Sequence, residues 1–191
     1  MKPSYLFLAD GFEEIEALTV VDVMRRAGME VKTVSITDKA EVLGAHGIKV
    51  IADELVSGLE CSDAEWLIVP GGMPGSTNLH GSKDLTRILK KQHEKGGKIA
   101  AICAAPAVVL APLGILDGRE ATCYPGFEEH CEDAIMRDAP VIALDNLITA
   151  NGPASALRFA LSIVANSMGD GIAQEVGSGM LFYPRSMNFY F

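Results

Sequence analysis

Aromatic residues are scarce in this chain, 6% with a single tryptophan, although 49% of its residues are hydrophobic and 19 are glycine. A core of small and aliphatic side chains argues for parallel strands covered by helices and against a β-sandwich. Basic residues are also few. There are 16 against 25 acidic ones, for a net charge of −9, and no basic stripe with interleaved aromatics occurs, so neither nucleic acid nor an anionic membrane surface is an expected partner. No apolar run approaches the ~18 residues of a membrane span. The opening "MKPSYLFLADGFEE" has an apolar stretch too short for a signal sequence before charge returns, and the expected location is cytoplasmic. The four cysteines, Cys61, Cys103, Cys123 and Cys131, include no C-x-x-C pair, which argues against a zinc knuckle, and their spacing is not that of a small secreted framework. Neither nucleotide-binding glycine signature, G-x-x-x-x-G-K-[ST] or G-x-G-x-x-G, is present. No metal and no organic cofactor is implied.

What is present reads as one domain of alternating strands and helices, since 191 residues suit a single core. "YLFLA" (Tyr5 to Ala9) is a buried strand ended by Asp10-Gly11. Glu13 to Ala27 is a helix with acidic residues first, Arg25-Arg26 last and Gly28 beyond. Met29 to Ile36 is the next strand. Val42 to Ile51 forms a hairpin around "GAHG". "EWLIV" is a strand stopping at "PGGMPG", Ser82 to Lys95 a charged amphipathic helix, and "KIAAI" a central strand. Ala104 to Leu113 reads as a short helix, Ala121 to Tyr124 as a strand, and Phe127 to Ala134 as a short acidic helix. Two strands flank Asp145-Asn146, and "NGPASALRFALSIVANSMG" is a strong helix with Pro153 near its start. The pattern predicts an α/β fold with a mostly parallel sheet and helices on both faces.

In such sheets ligands bind beyond the carboxyl ends of the strands. Three segments converge there: "DGFEEIE", "PGGMPG" and "CAAP". Two readings of Cys103 stand side by side, an inert buried thiol and a nucleophile on a strand-to-helix turn, where unpaired N–H groups lower a thiol's pKa and hold an oxyanion. "PGGMPG" is a tight turn, and its N–H groups are also placed to face a pocket. Glu13 and Glu14 read as a solvated, dipole-matched helix start. Glu16 lies one turn further in. Beside Cys103 its pKa would rise, and it would donate a hydrogen bond to the thiolate. None of the histidines, His46, His80, His93 and His130, carries a local motif of a general base; His93 reads as solvated and His46 as a hairpin tip near a neighbouring subunit.

With these segments in place, "LADGFEEIEALTVVDVMRRAG", "LIVPGGMPG", "IAAICAAPAVVLA" and "ANGPASALRFALSIV" resemble the ThiJ/PfpI family, in the branch of the human parkinsonism-associated deglycase and its bacterial homologues. The resemblance covers residues 1–168 as a domain and leaves 169–191 as an extension that docks on the domain or on a partner subunit. It implies a flavodoxin-like three-layer sandwich, usually a homodimer. It puts the reactive cysteine on Cys103, its protonated partner on Glu16, and backbone donors on Gly71, Gly72 and Ala104. Tyr124, in "TCYPGFEE", stands where part of the family has a histidine, and is a candidate auxiliary residue. The protease branch has a histidine where this chain has Ala104, and the arginine often found in the hairpin is replaced by His46. The implied function is a cysteine-dependent enzyme acting on a small-molecule carbonyl substrate or an early glycation adduct. The alternatives are a redox-sensing stress protein or chaperone, with Cys123 as a resolving thiol, and, further back, an intracellular cysteine protease.

Overall fold

The computed structural model describes residues 2–182, and its elements alternate from the start. β1 (Ser4–Leu8) is buried from end to end. α1 (Glu14–Arg26) follows, capped by the Glu13 carboxylate, which accepts from the Ile15 N–H at 3.3 Å. It ends where Gly28 turns left-handed at φ +76° and the Met29 N–H reaches back to the Met24 carbonyl. β2 (Val31–Ser35) completes the first β–α–β unit. The expected hairpin is present as β3 (Glu41–Leu43) and β4 (Lys49–Ile51), antiparallel. A two-residue β5 (Glu54–Leu55) precedes β6 (Trp66–Val69), which runs into the glycine loop. α2 (Gly75–Gly81) was not anticipated, because its sequence "GSTNLHG" has little intrinsic helix preference. α3 (Lys83–Glu94) is capped by the Ser82 hydroxyl and leads to β7 (Lys98–Ile102).

The second half departs further from expectation. In place of a helix over 104–113 there is a wide turn over Pro106–Leu110, closed by the Ala111 N–H on the Pro106 carbonyl, and a tighter one over Ala111–Leu113. Pro112 has no N–H with which to continue an α-helical ladder. The strand expected over Ala121 to Tyr124 is cut to β8 (Glu120–Ala121), paired in parallel with β9 (Ile135–Met136). Thr122 leaves that ladder by donating its N–H to Thr149 Oγ1 at 2.9 Å and its hydroxyl to the Ala139 carbonyl at 2.9 Å. The acidic helix expected over Phe127 to Ala134 shrinks to one turn, Glu128–His130. A longer helix would stack Glu128 on Glu132 and Glu129 on Asp133 at like-charged i, i+4 spacing. β10 (Val141–Ala143) and β11 (Leu147–Ala150) are antiparallel around the expected turn. α4 (Ala156–Met168) is the strong helix, and α5 (Asp170–Gly179) packs against it. α5 was unforeseen because three glycines, Gly171, Gly177 and Gly179, lie within it. The expected 169–191 extension ends in five aromatic residues, of which Phe182 lies within the described residues and Tyr183, Phe189, Tyr190 and Phe191 lie outside them.

The main sheet has seven strands in the order β10-β11-β7-β6-β1-β2-β5, all parallel except the β10–β11 pair. Alternate residues of each strand face opposite ways. Leu6, Leu8, Trp66, Ile68, Ala100 and Ile102 join α1 and α4 in one core; Tyr5, Phe7, Leu67, Val69, Ile99 and Ala101 join α2 and α3 in another. The result is a three-layer α/β sandwich. Trp66 is fully buried in the first core; its Nε1 donates to Ser167 Oγ of α4 at 2.8 Å, and Lys98 Nζ sits 5.4 Å from its ring centre. Chain order reverses at β1, which lies between β2 and β6. A crevice opens at such a switch point, and the loops after β1, β6 and β7 meet there.

Candidate active site

Cys103 ends β7 with φ +65°, in the left-handed region that costs a non-glycine residue roughly 1–3 kcal/mol. The surroundings hold it there. Its N–H donates to the Ala150 carbonyl of β11 at 2.8 Å, and its carbonyl accepts the Tyr124 N–H at 2.8 Å. This sharp turn after β7 leaves Cys103 largely buried, 8% exposed. The N–H groups of Gly72 and Ala104 both hydrogen-bond the sulfur.

Glu16 comes from the first turn of α1 and is fully buried. Its Oε2 accepts the Gly71 N–H at 2.8 Å, its carboxyl hydrogen-bonds the Cys103 thiol, and Oε1 accepts nothing further. The Gly71 N–H, expected to face the pocket alongside Gly72, is thus occupied by Glu16. Gly71 has to be glycine: a Cβ there would lie 2.5 Å from Cys103 Cβ and 2.6 Å from Glu16 Oε2. The three converging loops therefore bring together Cys103, Glu16, Gly71, Gly72 and Ala104.

The electrostatics correct one expectation. Burial, then the neighbouring Glu16 charge and its hydrogen bond, push the Cys103 thiol up to about 12, and the Gly72 and Ala104 donors only partly offset this. Burial likewise raises Glu16 to about 7, against the lowering effect of its hydrogen bonds to Cys103 and Gly71.

Tyr124 is 45% exposed, and its ring meets Phe127 edge-on at 6.3 Å. Its backbone, however, fixes the Cys103 turn. The Cys123 thiol donates to the Tyr124 carbonyl at 3.5 Å. Glu13 and Glu14 are not solvated, at 9% and 5% exposed. Glu14 Oε1 accepts the His46 N–H at 2.7 Å, and Oε2 meets His46 Nδ1 at 2.8 Å, so the hairpin tip is clamped to α1 of its own chain. Glu13, Glu14 and His46 offer donor atoms within 4.8 Å of one another, a spacing that could hold a metal ion, but the clamp already engages both Glu14 oxygens. Sequence reasoning missed this cluster. Its only signals were two carboxylates one turn ahead of Glu16 and a histidine in a glycine-flanked tip. A groove of about 560 Å³ between α4, α5 and β10, lined by Leu161, Ala165, Ala173 and Phe182, shares no residue with the Cys103 site.

A fold with a switch-point crevice, a left-handed cysteine and a buried glutamate beneath it defines a class, and the comparisons specify which. The chain belongs to the DJ-1/PfpI family, which it matches over residues 3–166. It is 34% identical over 184 residues to protein DJ-1 homolog B of Arabidopsis thaliana, across 96% of this chain but 42% of that protein, so it spans less than half of that relative. It is 34% identical over 154 residues to glutathione-independent glyoxalase DJR-1.2 of Caenorhabditis elegans, covering 80% of this chain and 81% of that one. The structure of oxidized DJ-1 from Toxoplasma gondii superposes with a TM-score of 0.90 at 35% identity, over 95% of this chain and 99% of that chain, which makes the fold flavodoxin-like.

Proposed function

We propose that the chain is a cysteine-dependent enzyme acting on small reactive carbonyls such as methylglyoxal. The observation that carries this reading is the buried Cys103–Glu16 pair with the Gly72 and Ala104 N–H groups directed at the sulfur. Between about 7 and about 12 the pair holds one proton between sulfur and carboxyl. These values put that proton on sulfur in the resting pair and leave Glu16 a carboxylate, so above neutral pH Glu16 is the base that draws the proton off and yields the thiolate. The thiolate attacks the aldehyde carbon, and the new oxyanion sits on the Gly72 and Ala104 N–H groups. The Glu16 proton passes to that oxygen, giving a hemithioacetal. Glu16, now a carboxylate, moves the C1 proton to C2, which leaves a thioester. Water hydrolyses it to lactate and restores the thiol. With an early glycation adduct, the same attack would release the repaired side chain. The glyoxalase name of the nematode relative supports this chemistry. Tyr124 is proposed only as an auxiliary group at the mouth.

The test is iodoacetamide labelling of Cys103 across pH, with methylglyoxal turnover on the same samples. The rate should rise through an inflection near pH 7, and Cys103→Ser should abolish both labelling and turnover. Glu16→Gln should move the inflection upward and slow labelling at neutral pH about tenfold. An inflection unmoved by Glu16→Gln would remove the shared-proton mechanism. A second reading, redox sensing, is favoured by one feature: the donors that hold an oxyanion also suit a sulfinate, and the Toxoplasma relative was observed oxidized. Labelling without any turnover would favour it.

We further propose a homodimer through α1 and the hairpin, where Ile15, Leu18, Leu43, Ile48 and Ile51 form an exposed apolar set. Ile51→Asp should shift sedimentation from dimer to monomer. The cytoplasm is the proposed compartment, since all four cysteines are free. Among the described residues no helix is long and apolar enough to cross a membrane.

A further inference from the structure

α3 and its cap carry a charge opposite to that of the chain. Residues 83–95 hold five of the 16 basic residues, Lys83, Arg87, Lys90, Lys91 and Lys95, against Asp84 and Glu94, a net +3 in a chain of −9. All five are exposed. Four of them, Lys83, Arg87, Lys91 and Lys95, recur at every fourth position. On a helix that spacing makes one oblique ridge, with about 6 Å of rise between neighbours and about 18 Å from end to end. Like charges at i, i+4 repel. The opposite side of the helix holds the ridge in place, through the fully buried Leu85 and Leu89 and the Ser82 cap. Arg87 donates to Asp84 at 2.8 Å, and Lys95 Nζ donates to the Ser62 carbonyl. Among the described residues Lys83, Lys90 and Lys91 make no ion pair. A groove lies on each side of the ridge. One, of about 560 Å³, is lined by His80, Lys83, Lys90 and Leu113. The other, of about 430 Å³, is lined by Leu59, Cys61, Ile88 and Lys95. Arg87 and Lys91 line both, and neither groove shares a residue with the Cys103 site.

We propose that this ridge is a docking surface for an acidic segment of a partner protein, bound extended across α3 with a carboxylate at every second residue. An extended chain puts alternate side chains on one face about 7 Å apart. That repeat is close to the rise between neighbouring cations on the ridge, and the flexible lysine stems absorb the difference. Charge focuses such a segment here, because the rest of an acidic surface repels it. Leu113 in one groove and Leu59 and Ile88 in the other offer apolar ground beside the cations. Two other anions fit less well. A nucleic acid strand would need aromatic rings on which its bases stack, and the residues described as lining the grooves include no Phe, Tyr or Trp. A phosphate group is best gripped by a guanidinium fork. The ridge's one arginine already donates to Asp84, and its other members are lysine point charges. Exposed ion pairs are individually weak and screened by salt, so the complex is a low-affinity, salt-sensitive one.

The test uses the full chain and an eight-residue peptide of alternating Glu and Ser, with blocked ends and a neutral fluorophore, followed by fluorescence anisotropy. The peptide should bind in 50 mM salt and weaken about tenfold or more by 300 mM. An isomer with its four Glu residues in one block has the same charge and should bind at least fivefold more weakly. Lys91→Glu, at the middle of the ridge, should weaken binding at least tenfold. Lys39→Glu makes the same change of charge at an exposed lysine between β2 and β3, and should cost less than twofold. Both side chains point into solvent, so both variants should keep the wild-type circular dichroism. Absence of binding in 50 mM salt, or equal losses in Lys91→Glu and Lys39→Glu, would overturn the surface. Equal binding of the block isomer would overturn the extended register. Displacement of the peptide by tripolyphosphate at a lower concentration than by unlabelled peptide would assign the ridge to a phosphate ligand and overturn the acidic segment.

Discussion

Glu14 and Glu16 lie two residues apart in one turn of α1, both nearly or fully buried, yet they behave oppositely. Burial raises both. At Glu14 hydrogen bonds from the His46 ring, its own N–H, and the His46 and Ile48 N–H groups outweigh burial and hold the carboxyl below its ordinary value. Glu16 has one N–H and a thiol, and ends near 7. Glu16 lies deeper in the protein and faces fewer donors, and depth and donor number together separate the two residues. One is a permanently charged clamp, the other a proton store.

The largest expected effect tests the store. Glu16 titrates higher in the folded chain than unfolded, so its contribution is fully present below about 4.5 and is lost as pH rises through about 7. Glu16→Gln lacks this loss. Between pH 4 and pH 8 its stability relative to wild type should improve by about 3 kcal/mol, read from urea midpoints; parallel profiles would break the contrast. The clamp comes next. Glu14→Gln removes the charged acceptor and should destabilise by roughly 1–3 kcal/mol, with faster amide exchange at His46 and Ile48 and little change in Cys103 labelling. The smallest effect belongs to His46. Its pKa is raised by the hydrogen bond to Glu14 and the charges of Glu13 and Glu14, so its ion pair helps at acidic pH and fades as pH rises through the folded value. His46→Ala should lower the melting temperature more at pH 6 than at pH 8.5.

Local signals made part of this legible. Apolar runs and caps located β1, α1, β2, β6, β7 and α4, and the convergence of three strand-end loops located Cys103, Glu16 and Gly72. The rest depends on long-range partners. α5 forms against α4 despite its glycines, because small residues such as Ala173 let the helices approach. Glu13 and Glu14 look solvated until the hairpin, thirty residues on, folds over them. The shift at Cys103 went the other way from expectation, since helix-start donors are visible in sequence and the depth of burial is not.

Trp66 has a practical consequence. As the chain's one indole, buried and bonded to Ser167 of α4, it makes intrinsic fluorescence an optical gauge of whether α4 stays seated on the sheet. It stands at the start of β6, away from the strand end where Cys103 lies, so alkylation or oxidation of that thiol should leave emission unchanged while detachment of α4 reddens it.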